Sequence, residues 1–99
     1  MANDAVAILD EVKATLMARA ADNDVGDRER LMERIVHIFT VITGKDMSEE
    51  EGWLFMVSLK LARLEVNKSN RDNWIDAIGY MALLGEYEEK EVEKHETKA

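Results

Sequence analysis

A chain of 99 residues has room for one domain. Its 21 Asp and Glu against 13 Lys and Arg leave a net charge of −8, which argues against nucleic-acid phosphates or an anionic lipid surface as partners, since both need a basic face. There is no Cys, so disulfides and thiolate metal sites are excluded, and there is no Pro to interrupt a helix.

The first helix is expected from about Asp4 to Ala21, with Ala5, Ile8, Leu9, Val12 and Leu16 at i, i+3, i+4 spacing and Asn3 or Asp4 as its cap. The polar stretch Asp22-Asn23-Asp24-Val25-Gly26-Asp27 breaks the pattern and reads as a turn. A second helix is expected from about Asp27 to Thr43, with Leu31, Ile35, Ile38, Phe39 and Ile42 on one face and Gly44 as its stop. Ser48-Glu49-Glu50-Glu51 fits a capping box for a third helix, which runs through Trp53 to about Glu65 and is apolar on nearly every side. Asn67-Lys68-Ser69-Asn70 is a polar turn short enough to join antiparallel neighbours. The fourth helix starts near Arg71 or Asp72, with a broad apolar face from Trp74 to Leu84. Gly79 within it anticipates the close approach of another helix. From Glu86 the chain turns polar, with Glu86 and Lys90 at the favourable i, i+4 spacing.

The pattern predicts an all-α four-helix bundle over residues 1–86, with 87–99 a charged, solvated helical extension fraying into a tail. Trp53, Phe55, Met56 and Leu59 are more apolar surface than one small bundle hides, so a homo-oligomer is expected, a dimer first. The start Met1-Ala2-Asn3-Asp4 lacks the pattern of a secretory signal. The longest apolar runs, Trp53-Leu54-Phe55-Met56-Val57 among them, fall far short of the ~20 residues that span a bilayer. The expected location is the cytoplasm, with neither membrane nor nucleic acid as partner.

Four constellations carry chemistry. Asp72 and Asp76 share a helix face, and paired carboxylates can hold Mg²⁺ beside substrate phosphates; equally, Asp72 can cap its helix while Asp76 meets a cation. Folding the third and fourth helices about Ser69 brings Asp76 within reach of Lys60 and Arg63. These cations read either as an ion pair fixing the hairpin register or as a phosphate grip. Glu29 and Glu33, interleaved with Arg28, Arg30 and Arg34, form a mixed-charge face that joins a metal site only if it turns toward Asp72 and Asp76. His37, between Val36 and Ile38, reads first as a residue at the edge of the core. A Walker loop, a nucleophile elbow, a His-Glu-x-x-His motif and an EF-hand loop are all absent.

Lys60-x-x-Arg63, a short turn, then Asp72-x-Trp74-x-Asp76-x-x-Gly79-Tyr80 resembles a small, largely uncharacterised helical domain of bacteriophages and prophages. The resemblance covers about Gly26 to Glu86. That domain is similar in outline to the MazG-type nucleotide pyrophosphohydrolases, which hold Mg²⁺ on two pairs of helical carboxylates. The resemblance implies that Asp76 matches the last acid of the second pair, with Asp72 one position displaced from its other acid. The first pair is missing: Ser58 and Lys60 stand where acids are wanted, and Glu29 and Glu33 are substitutes at a different spacing. The expected function is therefore a small acidic phage-type protein on a degenerate MazG-like scaffold, binding a host protein or a nucleotide without turnover. The alternative is a Mg²⁺-dependent nucleoside triphosphate pyrophosphohydrolase, with Lys60 and Arg63 on the phosphates and Mg²⁺ on Asp72, Asp76, Glu33 and Glu29. A DNA-mimicking inhibitor is a third reading, drawn from the net charge.

Overall fold

The computed structural model describes residues 4–21 and 28–98, without the side chains of 19–21, 28–30 and 95–98. The expected turn over 22–27 lies outside the described residues. Among those described, the chain is all-helical, with no strand: α1 (Ala5–Ala21), α2 (Arg28–Thr43), α3 (Glu49–Val66) and α4 (Arg71–Lys98). No described helix is long and apolar enough to cross a membrane.

Local chemistry sets the helix ends. Asp4 caps α1, its Oδ1 accepting from the Ala7 N–H at 2.8 Å. Gly44, at φ 72°, ends α2 in the left-handed conformation that glycine adopts without strain. The capping box at α3 is complete: the Glu51 N–H donates to Ser48 Oγ at 3.1 Å, and the Ser48 N–H donates to Glu51 Oε1 at 2.9 Å. At α4 the cap is Asn70, whose Oδ1 accepts from the Asn73 N–H at 3.3 Å. Asp72 is therefore not the cap; it lies in the first turn, where the helix dipole still favours its charge.

The α3–α4 hairpin is the spine of the molecule. α1 packs on α4 and α2 packs on α3, so the helices form an open series, α1–α4–α3–α2. Buried Met32 and Val36 of α2, Trp53 of α3 and Leu84 of α4 make one cluster, with Met47, Met56, Tyr80, Leu83 and Tyr87 around it. Trp53 and Tyr80 meet with ring centroids 6.2 Å apart, tilted by 38°. The buried Trp53 Nε1 has no hydrogen-bond partner among the described residues.

Two expectations about α2 and the glycines are corrected. Of the expected face Leu31, Ile35, Ile38, Phe39 and Ile42, Phe39 is half-buried, but the other four are 42–76% exposed, and the inward face is Met32 and Val36. Both sets have helical spacing, and α2 meets α3 at Gly52, where Met32 and Val36 can seat against bare backbone. The close approach expected at Gly79 occurs at Gly52 instead. A Cβ on Gly52 would collide with Met32 Sδ and stand 3.1 Å from Val36 Cγ1, whereas one on Gly79 would meet only Leu16 Cδ2 at 3.9 Å.

Candidate functional site

The short turn over 67–70 fixes the register of the hairpin. Asn67 Oδ1 accepts from both the Ser69 N–H and the Ser69 hydroxyl, at 3.2 and 2.8 Å. The Trp74 indole N–H donates across the turn to the Lys68 carbonyl at 2.9 Å. With that register set, Lys60 of α3 reaches Asp76 of α4, Nζ to Oδ2 at 3.0 Å. Both side chains are largely buried, 13% and 17% exposed. Asp76 also borders α1, lining a small space with Val12, Thr15, Leu16, Gly79 and Tyr80.

Arg63 does not join this pair. It is exposed one turn further along α3 and has no ion-pair partner among the described residues. Asp72 is exposed one turn before Asp76. Glu33 lies elsewhere, on an open groove of about 690 Å³ that it lines with Arg34, Val36, His37, Ile38, Thr40 and Met47. His37 is exposed at this groove and not at the edge of the core. The Glu29 side chain lies outside the described residues. Among the described residues no three His, Asp or Glu side chains gather to hold a metal ion. At Asp76 the Lys60 ammonium group competes with any divalent cation for the same carboxylate, so the residues present fit Mg²⁺ poorly.

Three polar features went unread in the sequence. Arg71, opening α4, pairs with Glu11 of α1, Nη2 to Oε2 at 2.6 Å. The hydrogen bond to Glu11 and its charge hold the Arg71 guanidinium above its ordinary pKa. A second open groove, about 350 Å³, sits beside this pair and is lined by Ile8, Lys68, Ser69, Arg71, Trp74 and Ile75. At the other end of the hairpin, Glu88 of α4 is hydrogen-bonded to Glu50 of α3. That bond, with the charges of Glu50 and Glu91, holds the exposed Glu88 carboxyl above the usual range. Burial and the surrounding glutamates likewise raise the Tyr87 phenol. No local pattern signals contacts between residues this far apart in the chain.

Several contacts of the hairpin come from the block Asp72-x-Trp74-x-Asp76-x-x-Gly79-Tyr80. Trp74 closes the turn, Asp76 locks α4 to α3, Gly79 faces α1, and Tyr80 packs on Trp53. A family model described as a domain of unknown function matches residues 7–88. No curated protein matches the chain, and no solved structure does.

Proposed function

This chain belongs to the DUF6378 family, and from that premise we propose that it is a small acidic, phage-type accessory protein on a degenerate MazG-like helical bundle. It acts in the host cytoplasm by binding a host protein or a nucleotide without turnover. The observation that carries this reading is the Lys60–Asp76 pair. The acid that a MazG-type site would give to Mg²⁺ is engaged by a lysine that joins α3 to α4. A carboxylate committed to such a bond serves the scaffold, and removing its partner would leave a largely buried charge. Arg63, Lys68 and exposed Trp74 remain at the surface around the turn as groups that an anionic, aromatic ligand would meet.

The test has two readouts on one panel of ribo-, deoxyribo- and cyclic nucleotides, each with and without Mg²⁺. Thermal shift reports binding, because a ligand that binds only the folded state raises the midpoint. Pyrophosphate release reports turnover. The expected outcome is no release with any triphosphate. A shift for one nucleotide class then assigns a nucleotide as the ligand, and the absence of any shift assigns a protein partner. Mg²⁺-dependent release that is lost in Glu33→Gln would overturn the reading in favour of the pyrophosphohydrolase.

A further inference from the structure

α2 carries two apolar faces, and among the described residues only one of them is covered. Met32 and Val36, 2% and 8% exposed, seat on the α3–α4 hairpin. Leu31, Ile35, Ile38 and Ile42 fall at i, i+4, i+7 and i+11, a second stripe with helical period. Each of these four stays at least 42% exposed. No charged residue stands within the stripe. On α1, by contrast, the exposed Val6, Leu9 and Met17 share their face with Lys13, which sits between Leu9 and Met17.

The surface area says how much cover this open arrangement lacks. The chain exposes 7438 Å². A folded monomer of its mass, 11.3 kDa, ordinarily exposes about 5,700 Å². The excess is about 1,700 Å², whereas a stable interface takes about 800 Å² from each partner. The exposed end of α4 takes part of this excess, and the exposed α2 face takes part of it. The radius of gyration points the same way, at 15.3 Å against about 12.6 Å for a compact chain of this length.

Charge identifies the occupant. A chain of net charge −8 repels its own copies unless they meet where that charge is least. α2 is that place. Arg28, Arg30 and Arg34 against Glu29 and Glu33 give it a net +1, while α3 and α4 are both net acidic and α1 is neutral. Exposed Arg34 sits beside the stripe, and Glu33 falls on the far side of the helix. A twofold axis across the stripe sets this least acidic face of one copy against the same face of the other. We infer that the exposed α2 stripe of Leu31, Ile35, Ile38 and Ile42 is the twofold interface at which a second copy of this chain docks.

Light scattering on the full-length chain at micromolar concentration reads the mass directly. The expected value is twice the chain mass of 11.3 kDa. Ile38→Glu and Ile42→Glu change exposed residues, so the circular dichroism should remain helical while the mass falls to that of one chain. Val6→Glu, on α1, should stay dimeric. Because the chain has no Cys, a second measurement is available that needs no charged substitution. Ile38→Cys, near the centre of the stripe, should form a disulfide-linked dimer under mild oxidation, and Val6→Cys should not. A monomeric wild type overturns the inference and gives the stripe to a different protein. A dimer that survives Ile42→Glu, with no cross-link through Ile38→Cys, overturns it by placing the interface elsewhere.

Discussion

Lys60 and Asp76 meet at 3.0 Å between α3 and α4, sixteen residues apart in the chain and on opposite sides of a four-residue turn. The hairpin register set by that turn brings them together, and their burial makes the register expensive to change. Asp76 in turn lies against α1, so one carboxylate stands where three helices converge. This placement ties the proposed function to stability: a variant at Asp76 tests both.

Asp76→Ala should lower unfolding free energy by about 3 kcal/mol, because it strands the Lys60 ammonium in a largely buried site. Lys60→Met combined with Asp76→Leu should recover most of that loss, since neither charge is then left alone. Urea denaturation of the two variants measures both effects. Wild-type stability in Asp76→Ala, with ligand binding lost, would instead assign Asp76 a role at a ligand.

Gly52→Ala should be destabilising by about 1 kcal/mol despite the better helix propensity of Ala. The new methyl group collides with buried Met32, and overpacking of this kind costs about 1–3 kcal/mol against a propensity gain of about 1 kcal/mol. Gly79→Ala, where the added carbon meets only an ordinary contact, should stabilise by up to about 1 kcal/mol. Opposite signs in thermal denaturation are the expected result.

Ser48→Ala should cost about 1 kcal/mol, since it removes the acceptor for the Glu51 N–H at the start of α3. Glu51→Gln should cost less, because an amide oxygen can still accept from the Ser48 N–H. Chemical denaturation of the pair ranks the two halves of the capping box.

Glu88 should make its own contribution to the pH dependence. Its pKa is raised in the folded state above the ordinary 4.5 by the hydrogen bond to Glu50. The folded protein therefore holds the proton more tightly than the unfolded chain. That contribution is fully present below pH 4.5 and is lost as pH rises through the raised value. Near neutrality the pair is left as two like charges. Glu88→Gln should raise the melting temperature at pH 7, and the advantage should vanish below pH 4.5. Melting curves of wild type and variant across that range check the sign.

The helix boundaries and the Lys60–Asp76 pair were legible in the sequence. Ser48 with Glu51 marks a start, Gly44 marks a stop, and a turn over 67–70 fixes which residues of two adjacent helices can meet. Arg63 looked equally close to Asp76 by spacing, yet the structure turns it outward, because one helical turn is enough to leave the buried seam. Arg71 with Glu11, and Glu50 with Glu88, were not legible, since each pair joins segments whose approach depends on the whole fold.

By itself the sequence determined the all-α class, the helix caps, the register of the hairpin and the acidic balance. These depend on interactions within a few residues or across one short turn. Only the tertiary structure decided which face of α2 is inward. Met32 with Val36, and Leu31 with Ile35, Ile38 and Ile42, carry the same helical period. The choice was made by the side-chain-free backbone of Gly52 on another helix, which accepts Met32 and Val36 and leaves the longer stripe facing outward.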